Sequence, residues 1–405
     1  MNFNLKIAVT LITIFITTTA LYAGGFAIND TRSARATGMG GAVIANRAEP
    51  ASIATNPALI TQLEGTEVQI GFSTISISAE TTVGGDTRRT ESNTFFIPNA
   101  YITGRLNENV YWGLGLFSRF GLGVTYQNHE TWLGSMLGYS ALLETFSINP
   151  TIAVRVTDEL SLATGLEIMQ LSFNQKKSFA PGIGLELDGS SIAWGGNFGA
   201  FYNPLWARNW AAGLTYRTKV NHNVRGTLNA NPFTGLPSGG VTAPLTLPDS
   251  LTFGIAHFPT DRIIIEANVT GTFWSSYQTL LVNFNDNPGS PLFERKNYRD
   301  AVRFSLGAEY ILSQHWDIRA GYTFDQSPIN SRYMDTMVPA HDRNIFSIGL
   351  GFINENWAID LAYAFYKMSN LSGTTEELAM VGGRLPISYR NSSSHVISLS
   401  ARYRF

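Results

Sequence analysis

The sequence predicts an all-β protein: a transmembrane β-barrel of about fourteen antiparallel strands, with an N-terminal hatch, or plug, inside the lumen. Three observations predict it. Apolar residues alternate with polar ones along stretches of about 10–15 residues. The connections between these stretches are alternately short and long. Charge is sparse, 14% against a typical ~25%, while aromatics reach 12%.

Composition narrows the class. A soluble protein of 405 residues needs a charged skin, and this chain has too little charge to make one. A net charge of −2 offers nothing to nucleic acid, and with no Cys there are no disulfides and no thiolate metal sites. No cofactor, no metal and no nucleic-acid partner are expected.

The N-terminus sets a compartment. Lys6 precedes the apolar run "IAVTLITIFI" (7–16), followed by "TTTALYA" ending at Ala23. This reads as a signal peptide over 1–23, cleaved after Ala23 or, because Leu21 is large, after Ala20. The run is about half the ~20 residues a spanning helix needs. No later segment resembles such a helix, so any crossing is made by strands.

Four segments carry the period most plainly. In "VISLSARYRF", Ile397, Leu399, Ala401, Tyr403 and Phe405 oppose Ser398, Ser400, Arg402 and Arg404. "WAIDLAYAFY", "WDIRAGYTFD" and "AVRFSLGAEYIL" repeat the pattern, with Asp360, Asp317, Arg319, Arg303 and Glu309 on the polar side. A soluble sandwich also alternates, but its strands average five or six residues. Lipid requires the alternation, since only apolar side chains face it and every backbone group must pair. Strands are expected near 66–82, 94–105, 110–127, 142–156, 159–175, 190–204, 209–226, 247–258, 261–284, 299–312, 315–327, 342–354, 356–370 and 392–405.

Short links such as "TDE", "PTD" and "NEN" read as periplasmic turns; "NPFTGLPSGG" and "NDNPGSPLFERKN" read as extracellular loops. An even strand number puts both termini in the periplasm. The closing Tyr403 and Phe405 are similar to the signal read by the barrel-assembly machinery.

Residues 24–65 form the head. Five glycines between Gly24 and Gly41 rule out an efficient long helix, at ~1 kcal/mol each against Ala. The segment is too apolar for a free tail. A fourteen-stranded lumen is too wide for wall side chains to fill, so the head is expected inside it; a periplasmic extension is the alternative. The organisation is therefore signal peptide 1–23, hatch 24–65 and barrel 66–405.

"GGFAIND", "ATGMGGAVIA" and "ASIATNPALIT" together resemble the head of the FadL family of outer-membrane transporters of long-chain fatty acids and hydrophobic compounds. They include that family's Asn-Pro-Ala hatch motif, here Asn56, Pro57 and Ala58. "SRFGLGVTY" resembles the family's third strand, which bends inward at a Gly matching Gly121, with Gly123 beyond it. "FERKNYRDAVRFSLGAEY", "HWDIRAGYTFDQSPI" and "VPAHDRNIFSIGLGF" resemble its last third. The resemblance implies a passive transporter in the outer membrane of a Gram-negative bacterium. Ligand is captured at extracellular loops and leaves sideways through the wall at the kinked strand.

Candidate residues follow. Gly121 and Gly123 mark the lateral opening, set against a smooth wall whose glycines, Gly113 and Gly115 included, make room for the hatch. Trp132, Leu133, Met136 and Leu137 lie in a loop apolar enough to bind ligand, or to pack on other loops. The resemblance places Lys177 where the family has an Arg for the carboxylate, and Ser118 at a polar contact; Arg295 or Arg299 would add charge. These cations also fit solvated loops or lipopolysaccharide phosphates. Asp325 and Arg343 fall on inward positions of adjacent strands and read as a structural ion pair. The six His lie in unrelated settings, so no catalytic site is expected. The expected partners are a hydrophobic ligand, outer-membrane lipid and the assembly machinery, with the protein a monomer. Aromatic hydrocarbons remain an alternative substrate, and a porin or adhesin an alternative function.

Overall fold

The computed structural model describes residues 27–286, 289, 291–339, 341–378 and 382–405; the expected signal peptide and residues 24–26 lie outside these. The wall is a closed antiparallel barrel of 14 strands. They are β1 (Thr66–Val83), β2 (Thr94–Arg105), β3 (Val110–Phe117 and Gly121–Thr125), β4 (Ser140–Arg155) and β5 (Leu160–Ala180). Next come β6 (Ile183–Tyr202), β7 (Trp210–Arg217 and Val220–Ala230), β8 (Gly239–Leu247 and Ser250–Thr260) and β9 (Ile263–Thr272 and Thr279–Phe284). The last are β10 (Ala301–Ile311), β11 (Trp316–Asp325), β12 (Arg343–Asn354), β13 (Trp357–Met368) and β14 (Pro386–Arg404). Each strand pairs with the next, and β14 closes on β1 with Phe72 opposite Leu399. Both Thr66 and Phe405 sit at the short-turn rim, joined by a 3.0 Å backbone bond.

Across the membrane zone the wall is inside-out relative to a soluble protein. On β10, Val302, Phe304 and Leu306 are exposed while Arg303, Ser305 and Glu309 are buried. On β11, Trp316 and Ile318 face out and Asp317 and Arg319 face in. An outward apolar side chain costs nothing in lipid, and the inward charges find partners in the lumen. Among the described residues no helix is long and apolar enough to span.

Toward the long-loop end the polarity reverses. Val241, Ala243, Leu245 and Leu247 of β8 point inward, with Thr242, Pro244 and Thr246 between them. Val220, Val224 and Leu228 do the same on β7. The switch is made by breaks at 218–219 and 248–249, where the inward positions change parity, as an extra residue in a strand dictates. Several strands consequently begin earlier than the sequence predicts: β6 at Ile183 instead of 190, β8 at Gly239 instead of 247, β14 at Pro386 instead of 392. These extensions stand above the lipid, where an outward polar face meets water and the membrane pattern no longer holds.

The lumen is filled by the head. From Ile28 to Leu63 nearly every residue is buried. The segment forms two short helices, α1 (Ala34–Gly38) and α2 (Ser52–Thr55), and a 3₁₀ turn (Pro57–Gln62), joined by irregular chain. Such irregular backbone is tolerated at membrane depth only because the wall supplies its partners.

Candidate functional site

An apolar pocket lies in the cup at the long-loop end of the barrel. Leu122 and Leu143 of β3 and β4, Phe173 of β5, Val224 of β7, Leu245 of β8 and Leu280 of β9 form its walls. Reversed polarity is what makes this cup apolar inside. At one side Lys296 and Asp335 reach it, and Asp188 lies on its lining as well.

Lys296 is buried and its ammonium lies 2.9 Å from Glu294 and 2.7 Å from Asp335. Glu294 also pairs with Lys177 of β5. Glu294 lies on the hairpin arm Leu292–Arg295, Lys296 just past it and Asp335 in the loop that follows β11, all at the long-loop end, outside the membrane zone. Burial would raise the Glu294 carboxyl, but Lys177 and Lys296 outweigh it and hold the group far below the usual carboxylate range. Burial would likewise lower the Lys296 ammonium, and Asp335 and Glu294 instead raise it well above the ordinary lysine value. Lys296 was missed in the sequence. The arm alternates, with Phe293 and Arg295 exposed and Glu294 turned inward, so continuing that period by one step points Lys296 inside.

The other candidate cations lie away from the cavity lining. Lys177 is two ion pairs removed from it, through Glu294 to Lys296. Arg295 is exposed, with its backbone N–H on Glu376, and Arg299 is exposed beside the carbonyl of Ile329. The apolar loop packs on other loops. Trp132 is buried against the Tyr126 ring at 4.7 Å and donates its Nε1–H to the Asp86 carbonyl. Leu133 lies over the turn at Gly84, Met136 is half-buried in the same 3₁₀ turn, and Leu137 joins the main apolar cluster. The loop supports the cavity from behind, since Thr336 donates to the Gly138 carbonyl and Met337 lines the cavity.

The hydrogen-bond ladder between β2 and β3 is interrupted. Their ladder ends at Ala100 and Leu116, and backbone bonding resumes only where Glu91 N–H reaches the Thr125 carbonyl at 2.7 Å. Pro98, with no N–H to offer, lies within this unpaired stretch. On its other side β3 stays joined to β4, but Ser118, Arg119 and Phe120 stand opposite only Thr145 and Phe146, a bulge. Beyond it Gly121, Leu122, Gly123 and Val124 are all buried, so this piece has left the in/out pattern of a wall strand. The buried Ser118 hydroxyl, at the bulge, has no hydrogen-bond partner among the described residues. Gly113 and Gly115, by contrast, make room for the plug: a Cβ on either would lie within 3.0 Å of Ile53.

The start of the plug is tied to this break. Ile28 N–H bonds the Arg119 carbonyl at 3.0 Å, and Ala27 bridges Phe120. Further along, Asn56 caps the 3₁₀ turn by accepting from Ala58 N–H, and its amide donates to the carbonyls of Ile44 and Ala200. Pro57 sits against Gly199 of β6, where a Cβ would lie 2.8 Å from its ring. Glu266 accepts from the N–H groups of Ile44 and Ala45, at 2.6 and 3.0 Å. Arg35 and Arg47 meet Glu309, which also holds Arg319. Asp325 does pair with Arg343, its register partner on β12, and the pair extends through Arg303 to Asp30 of the plug.

A closed barrel with an apolar outer band, a plugged lumen and an apolar cup defines a class: the outer-membrane transport barrels of Gram-negative bacteria. Residues 14–405 match the family described as outer membrane protein transport protein (OMPP1/FadL/TodX), and the chain belongs to it. It is 25% identical over 420 residues to the long-chain fatty acid transport protein of Escherichia coli K12, covering 89% of this chain and 90% of that one. It is 26% identical over 388 residues to outer membrane protein P1 of Haemophilus influenzae, covering 81% and 82%. A Pseudomonas aeruginosa FadL homologue has the same fold, with TM-score 0.85, 20% identity, and 94% of this chain and 100% of that one covered. The toluene transporter TodX of P. putida follows at TM-score 0.72 and 17% identity, covering 96% and 99%.

Proposed function

We propose that this protein is a passive transporter that captures long-chain fatty acids or similar hydrophobic molecules at its extracellular end and releases them sideways through the wall. The observation that carries this reading is the apolar cavity beside Leu122, on the very stretch of β3 that has left the wall. A ligand held there gains ~0.8 kcal/mol per buried CH₂. It would lose that gain in a water-filled pore, which in this reading the head segment closes. The unpaired stretch between β2 and β3 offers a way from the apolar lumen into lipid without contact with water. In this reading Gly121 and Gly123 allow the inward bend, and Asn56, Pro57 and Ala58 anchor a hatch.

The names of the relatives favour the same ligand class, fatty acid in one branch and toluene in another. An aromatic hydrocarbon is the second reading, favoured by the cavity's almost wholly apolar lining. The reading involves no catalysis and needs no cofactor. Expression in cells lacking their own fatty acid transporter tests it: uptake of labelled oleate should be restored. Correctly inserted protein that restores neither oleate nor toluene uptake would refute it.

A further inference from the structure

We infer that the cavity selects hydrophobic ligands that carry no negative charge, such as an alkanol, an arene or a fatty acid in its protonated form, and that Asp335 sets this selectivity. The inference rests on the transport reading above and narrows its substrate class.

The polar side of the cavity is already neutral. Two ammonium groups, Lys177 and Lys296, meet two carboxylates, Glu294 and Asp335. Asp188 borders the space with its backbone, but its carboxylate takes the Thr227 hydroxyl at 3.1 Å on the exposed outer face of the wall and adds no charge inside. Everything else that faces the space is apolar or aromatic, with Tyr277 and Tyr298 the nearest remaining titratable groups. Among the described residues of the lining, an arriving carboxylate therefore finds no uncompensated cation. To reach Lys296 it must displace Glu294 or Asp335 and strand that carboxylate in an apolar surround, where unpaired charge is costly. An uncharged ligand displaces nothing.

Asp335 is built to stay where it is. Its Oδ1 accepts from the backbone N–H of Met337 at 2.8 Å and of Val338 at 3.3 Å. Its carbonyl accepts from the Tyr389 hydroxyl, which is itself buried. The side chain cannot swing away to make room, and Oδ2 remains fixed on Lys296.

The test is displacement of an uncharged naphthylamine fluorophore from full-length protein in neutral detergent at pH 8, by dodecanol and by dodecanoate. The wild type should release the probe at roughly tenfold less dodecanol than dodecanoate. Asp335→Asn keeps the side-chain oxygen that caps Met337 and Val338 but frees Lys296, and should shift the ratio toward dodecanoate by roughly tenfold. Glu294→Gln should shift it the same way. Dodecanoate displacing as well as dodecanol from wild type, or a ratio unmoved in both variants, would overturn the inference while leaving the transport reading intact. Failure of either ligand to displace the probe would overturn both.

Discussion

Asn56 of the plug donates its amide to the Ala200 carbonyl of β6 at 2.9 Å, while the same group holds the Ile44 carbonyl at 2.8 Å. One side chain thus ties two parts of the plug to each other and to the wall. Asn56 and Pro57 can come this close to the wall because Gly199 has no side chain: a Cβ there would lie 2.5 Å from Asn56 Oδ1 and 2.8 Å from Pro57.

Replacing Asn56 with Ala removes both of these bonds and the cap on Ala58, at a cost of about 2–3 kcal/mol to the plug's docking. The barrel ladder is untouched, so the variant should fold and insert. Planar-bilayer recording should give a larger single-channel conductance than wild type, approaching that of a protein lacking residues 24–61. Equal conductance in all three would mean that the plug does not limit the pore.

Glu309 is the centre of the charge network, shared by Arg35, Arg47 and Arg319. Glu309→Gln leaves three cations facing one another in the lumen with Asp317 and Asp360 as their remaining anions. Breaking a buried pair in this way costs about 3–5 kcal/mol. The thermal transition seen by heat-modified gel mobility should fall by several degrees, and Arg35→Gln combined with it should recover part of the loss.

The cavity network has a definite pH window. Glu294 is held below its unfolded value, so its contribution is present above ~4.3 and is lost only as pH falls through the folded value. Lys296 is raised, so its contribution is complete below ~10.4 and is lost only as pH rises through its folded value. Both hold across neutral pH. Binding of an uncharged probe should change by less than about twofold between pH 5 and 9, whereas a fatty acid should bind more tightly toward pH 5 as its carboxyl protonates.

The chain has no Cys, so single cysteines report topology without background. A membrane-impermeant maleimide on whole cells should label positions in 231–238, a loop of the long-loop rim, and spare 157–159, a short turn. Labelling of both would overturn the orientation.

Much of this was legible in the residues. The period of two in Val302–Tyr310 and Trp316–Phe324 gave the wall, because lipid enforces that pattern on any strand it touches. The glycine-rich, apolar head pointed to the lumen because neither a helix nor a solvated tail suited it. The cup at the long-loop end was not legible, since Val241, Ala243 and Leu245 alternate as in a soluble protein and the change of face occurs at a two-residue break. Lys296 was hidden for the same reason: its inward direction depends on the register of a short hairpin arm, Thr279 opposite Arg295, that charge alone does not reveal.

Gly121 is where the proposed lateral route is most exposed to test. This residue pairs with Glu144 just beyond the bulge and begins the buried stretch of β3. A β-branched side chain there favours a regular extended strand and, in the proposed route, would occupy the exit. Uptake of labelled long-chain fatty acid by cells carrying Gly121→Val, with insertion and probe binding confirmed on the same variant, is the most direct measurement. Retained binding with uptake reduced to background is the expected result; uptake equal to wild type by correctly inserted protein would contradict the lateral route.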